Sequence, residues 1–186
     1  MTTSPIRQNE PGAYRLCSRS RRFAELFICL ALAGTPAMAV PIINDPNGFE
    51  GMPWGTTFSQ AEHFVKVEDD GHLQTYERKG EPPALGTTPV DSMRFTAFEG
   101  RFARVTVRYS GKDTHERILT YLQSQYGPLD RTPGQIAVGP VKVHAWHGFN
   151  TEVTLRFEAN FERGIIFFES RTLREALSEG TSATVF

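Results

Sequence analysis

The stretch Ser92-Met93-Arg94-Phe95-Thr96-Ala97-Phe98-Glu99-Gly100-Arg101-Phe102-Ala103-Arg104-Val105-Thr106-Val107-Arg108-Tyr109-Ser110 reads as two strands and a turn. Both arms are rich in β-branched and aromatic residues, and Glu99-Gly100-Arg101 between Ser92–Phe98 and residues 102–110 predicts a hairpin. Along the second arm Ala103, Val105, Val107 and Tyr109 fall on one face, and Arg104, Thr106 and Arg108 on the other. Successive side chains of a strand point to opposite faces, so this alternation describes an antiparallel sheet, buried on one side and wet on the other.

Downstream, Asp113 and Glu116 have capping-box spacing with Asp113 as N-cap. Ile118, Leu119, Leu122 and Tyr126 then recur at the period of a helix that Gly127-Pro128 stops. Period-two patterning predicts strands at Gln135–Val138, Val141–His147, 151–160 and 165–170, with Val153, Leu155, Phe157 and Ala159 pointing inward along the third. Upstream, Thr57 and Gln60 again have capping-box spacing, and Phe58, Ala61, Phe64 and Val65 predict a helix ended by Asp69-Asp70-Gly71. Residues 73–79 read as a strand and 80–88, with Pro82-Pro83, as a loop; Thr172 and Glu175 open a last short helix over 173–178. The predicted class is α+β, an antiparallel sheet packed by helices on one face. Met93-Arg94-Phe95-Thr96-Ala97 and Leu155-Arg156-Phe157-Glu158-Ala159 echo each other, which suggests two tandem helix-plus-strands units in that sheet.

The opening Phe49-x-Gly51-Met52-x-Trp54-Gly55-Thr56, followed by an amphipathic segment and by Trp146 ahead of an alternating strand, resembles a broad set of uncharacterised bacterial secreted proteins. The expected order of helices and strands is also similar to beta-lactamase-inhibitor-protein and small outer-membrane-assembly lipoprotein architectures. These resemblances imply export and a fold; they imply no catalytic residue, and a shared fold does not carry a function with it.

Residues 1–39 have the parts of a secretory signal. Arg15, Arg19, Arg21 and Arg22 make a basic n-region, and residues 26–33 an apolar core too short to span a bilayer. Ala37 and Ala39 supply the small-x-small cleavage pattern, so the expected mature domain is 40–186, periplasmic or secreted. Ile28 before Cys29 does not fit a lipoprotein signal, and Glu25 at the edge of the apolar core leaves an uncleaved anchor as the alternative. Without the leader's five arginines and two glutamates, 15 basic residues face 19 acidic ones, a formal charge of −4. That balance seeks neither nucleic acid nor an anionic membrane. Both cysteines, Cys17 and Cys29, lie in the leader, so the expected domain has no disulfide.

Candidate chemistry is sparse. His144-Ala145-Trp146-His147 has the H-x-x-H spacing that brings two imidazoles together on a helix. On a strand, positions three apart face opposite ways, and a metal would need further convergent ligands; none is expected. His115-Glu116 lacks the second histidine of a zinc-protease helix, and there is no G-x-S-x-G elbow or glycine-rich phosphate cradle. No cofactor is expected.

What remains is surface. Arg104 and Arg108 should share an outward sheet face with Arg156 and neighbouring glutamates, a charged face suited to a partner protein. Trp54 and Trp146, the two tryptophans, suit either core packing at element ends or a groove for glycans and small ligands. The expected function is non-enzymatic, a protein-binding, inhibitor or assembly-type module whose partner is another envelope protein. The alternatives are a periplasmic hydrolase or carbohydrate-active enzyme around His144 and His147, and an envelope-glycan binder using the tryptophans.

Overall fold

The computed structural model describes residues 39–58, 62–129 and 135–174. Its first strands are β1 (Val40–Pro41), β2 (Gly48–Phe49), β3 (Met52–Pro53), β4 (Phe64–Asp70), β5 (Leu73–Arg78), β6 (Ala84–Leu85) and β7 (Thr88–Pro89). Then come β8 (Ser92–Phe98), β9 (Arg101–Ser110), the helix α1 (Lys112–Tyr126), β10 (Gln135–Val138), β11 (Val141–His147), β12 (Thr151–Glu158) and β13 (Arg163–Ser170). The principal sheet runs β1-β11-β12-β13-β9-β8-β5-β4, with β10 also paired to β11. It is mixed, because β1 runs parallel to β11 while the other pairs are antiparallel.

The α+β expectation is overturned: 52% of the described residues are strand and 14% helix. The decisive misreading lies at residues 58–70. Phe58 and Phe64 do both reach the core, edge-to-face at 5.1 Å, but Phe64 does so as the first residue of β4. Val65-Lys66-Val67 alternates with period two, and Gly71, at φ 66°, allows a two-residue turn that closes β4 onto β5. A spacing of three or six residues between large apolar side chains fits a turn-plus-strand as well as a helix. Of the remaining expected helix, residues 59–61 lie outside the described residues, as do 175–178 of the last one and the leader with Ala37.

The described chain therefore forms two meanders, β4-β5-β8-β9 and β10-β11-β12-β13, joined by α1. Their last strands, β9 and β13, lie antiparallel at the centre, from Arg163↔Ser110 to Glu169↔Arg104. The sequence echo falls on β8 and on β12, each the penultimate strand of its meander. Both units are built of strands rather than of a helix plus strands.

Glu99 and Gly100 both have positive φ, 49° and 76°, the signature of a type I′ turn joining β8 to β9. Glu50 and Gly51 repeat it between β2 and β3, at 47° and 79°. The Phe49–Thr56 motif is thus a hairpin clamp. Phe49 packs 4.7 Å from Phe168, Trp54 lies 4.7 Å from Phe102 and donates to Thr151 Oγ1 at 2.9 Å, and the backbones of Gly55 and Thr56 bond to Phe102. Phe102 itself turns inward because the register shifts between β8 and β9, with Ala97 opposite Phe102 and Thr96 opposite Arg104. Ala103 is the extra, bulged residue, so both Phe102 and Ala103 are buried.

One face of the sheet packs under α1, whose His115, Ile118 and Leu122 are buried. Asp113 is not the N-cap; Gly111 takes that position at φ 94°, and Asp113 lies in the first turn, where its charge favours the helix dipole. Gly127 ends the helix as expected, its N–H donating to Gln123 O. Ala159 is exposed beyond the end of β12 rather than inward. At the far edge β4 is largely exposed, with Val65 and Val67 interleaved among charges.

The type I′ turns give a direct check. Asn fits the left-handed first central position better than Glu, so Glu99→Asn should raise stability by about 0.5–1 kcal/mol in urea unfolding, and Gly100→Ala should lower it.

Candidate functional site

The face opposite α1 is open around Arg94, Arg108 and Arg156, which are exposed, while Glu152 and Glu169 at its other end are buried. Register sets its side chains in rows. The first is His147, Glu152, Glu169, Arg104 and Thr96, on five successive strands. The next is Ala145, Thr154, Phe167, Thr106 and Arg94, and the third Val143, Arg156, Ile165, Arg108 and Ser92.

The first row is locked. Arg104 reaches Glu169 at 2.5 Å and lies over the Phe167 ring at 5.7 Å. Glu152, beside Glu169, accepts from Arg174 Nη1 and lies 3.5 Å from His147 Nε2. Two adjacent, nearly buried carboxylates would repel each other; the surrounding cations offset that. Arg94 is similarly held, 3.2 Å from Glu77. Arg108 and Arg156 are exposed and have no ion-pair partner among the described residues. Ile165 between them and Phe167 one row away are partly exposed.

The covered face holds a buried polar cluster. Gly164 leaves room for the Tyr109 ring: a Cβ there would meet Tyr109 Cζ at 1.9 Å. The Tyr109 hydroxyl shares a 2.7 Å hydrogen bond with His115 Nδ1, and His115 stacks on Phe157 at 3.8 Å. His144 lies 6.5 Å from His115, and neither of its ring nitrogens has a protein partner. Burial, then His144 and the Lys142 ammonium, take His115 down to about 4. Burial and then Lys142 lower His144 as well, so both rings are neutral at pH 7.

The structure separates the residues that a catalytic site needed together. His144 points into the core beside Trp146, while His147 stands on the open face with Glu152. That Glu152 contact lies on the open sheet face. A cleft of about 500 Å³ is lined by Glu50, Glu77, Arg78, Glu81 and Asp91 over a floor of Met93 and Phe95. Its guanidinium is already engaged, 2.7 Å from Glu50 and over the Phe95 ring. Of the two tryptophans, Trp146 is fully buried and donates to Gly127 O at 2.9 Å, while the half-buried Trp54 packs on Phe102 and donates to Thr151 Oγ1. Among the described residues no group of three or more histidine, cysteine and carboxylate side chains is placed to hold a metal.

Sequence reasoning missed the Tyr109–His115–His144 cluster. One signal was available, a glycine inside the apolar run Gly164-Ile165-Ile166-Phe167-Phe168, which marks a close approach by a neighbour. Among the described residues the chain is mostly β, with one α-helix and one open, charged sheet face. Comparison with family profiles, with curated proteins and with solved structures finds no match. No helix among the described residues is long and apolar enough to cross a membrane.

The histidine cluster sets a pH dependence. With folded-state values below the ordinary 6.5, the native protein binds fewer protons than the unfolded chain between about pH 6.5 and 4. These groups leave stability unchanged above that window and lower it as pH falls through it, by roughly 3 kcal/mol for His115. His144→Leu removes two unpartnered nitrogens, so urea unfolding at pH 7 should show it neutral or up to about 1 kcal/mol more stable, with a flatter acid limb. Gly164→Ala should cost about 1–3 kcal/mol or more by overpacking against Tyr109.

Proposed function

We propose that this chain is an exported, non-enzymatic protein-binding module of the bacterial envelope that docks another envelope protein on its open sheet face. The observation behind it is the uncovered face itself, where Ile165 lies partly exposed between Arg108 and Arg156, which have no ion-pair partner among the described residues, and Phe167 lies partly exposed one row away. An apolar centre with a polar rim is the anatomy of a protein interface. The leader-like residues 1–39 support export to the periplasm or beyond. The locked row from His147 to Arg104 would then act as a rigid border, fixing the face rather than doing chemistry.

A photo-crosslinking residue at Thr154 or Thr106, in cells, tests this. Adducts with one discrete protein are expected from these positions and not from Val67 on the β4 edge or Glu81 on the cleft rim. Adducts only from Val67, or none from any position, would overturn the proposal. Labelling by a small ligand confined to Glu81 would instead favour a ligand-binding cleft.

A further inference from the structure

Arg108 and Arg156 flank Ile165 directly across the β9-β13-β12 strands, and Arg163 lies two residues before Ile165 on the same face. All three arginines are exposed, and none has an ion-pair or side-chain hydrogen-bond partner among the described residues. Glu158 is the cross-strand neighbour of Arg163 yet makes no ion pair with it. Arg94 and Arg104, one and two rows away, are both engaged by glutamates. The free cations are therefore concentrated at one end of the open face, around one apolar side chain. They sit on a domain whose residues 40–186 carry a formal −4. A local cationic island on an acidic protein selects a compact acidic partner and disfavours an extended polyanion.

Geometry narrows the partner further. Neighbouring strands lie about 4.8 Å apart, so the backbones of Arg108 and Arg156 stand roughly 10 Å apart with Ile165 between them. On an α-helix, residues seven apart are about 10.5 Å apart and share a face, with positions three and four between them on that same face. Guanidinium groups match carboxylates bidentately.

We propose that this end of the open face docks an acidic amphipathic helix of a partner protein. Carboxylates seven residues apart engage Arg108 and Arg156, an apolar side chain between them covers Ile165, and Arg163 steers the approach. This rests on the open-face docking proposed above and names the chemistry of the partner.

The test uses the purified full chain and a labelled synthetic helical peptide with the pattern Glu-x-x-Leu-Leu-x-x-Glu, read by fluorescence anisotropy. A second peptide carries Lys in place of both Glu. Binding of the acidic peptide alone is expected, weakening as salt is raised. The Arg108→Glu/Arg156→Glu double variant, both sites being exposed, should fold normally by circular dichroism and weaken binding about tenfold or more. Equal binding of both peptides, no binding, or binding unaffected by the double variant would overturn the inference. So would preferential binding to vesicles of equal parts phosphatidylcholine and phosphatidylglycerol, which would make the occupant a lipid surface. Self-association in sedimentation that the double variant abolishes would make it a second copy of this chain, with the same consequence. Crosslinking from Thr154 that survives in the double variant would leave the open face as a docking site and remove only the acidic helix. Loss of both the peptide signal and the wild-type adduct would remove both.

Discussion

The pairing of β9 with β13 holds this molecule together. Each meander ends at that seam, and without it both would present a long apolar strand with unpaired backbone to water, a template for aggregation. Tyr109 and Gly164 face each other across the seam, and the glycine's missing side chain is what lets the tyrosine ring lie over β13 and reach His115. The same contact fixes α1 over the buried face. Seam and helix are thus one structure, and the position of the helix follows from a single small residue in the facing strand.

That arrangement divides the sheet's two faces sharply. The covered side is aromatic, and its Tyr109–His115–His144 cluster is kept neutral by burial. The uncovered side is ordered in rows across strands. One row is bound up in ion pairs at the His147–Arg104 end, and the other end leaves its arginines unengaged. With their carboxylates nearly buried, these pairs set desolvation against Coulomb attraction, so their net contribution to stability is small. Their importance here lies in where they are missing.

Most of the strands were legible because a half-buried strand writes its environment into alternate residues. β8, β10 and β11 have the bounds their patterns predict, and Arg104, Thr106 and Arg108 do share the outer face. The errors arose where period and environment separate. Phe58 and Phe64 are six apart, one buried and one half-buried against the core, which a helix or a turn-plus-strand satisfies equally, and only pairing with β5 decides between them. The bulge at Ala103 brings Phe102 inward against strict alternation. Trp146 and His144 looked like candidate surface chemistry, yet their even-numbered positions on β11 face α1. No local pattern reveals which face a distant helix will cover.

The β4 rim, finally, bears on solubility. A nine-stranded sheet has two margins, and β11 is shielded by β1 and β10. The other margin ends in seven residues with Val65 and Val67 outward, a sequence that on its own would recruit like strands. An irregularity at Val67 breaks its straightness, and Lys66, Glu68 and Asp69 place charge on both sides of it. Shape and electrostatics together disfavour growth of the sheet into a fibril at this margin.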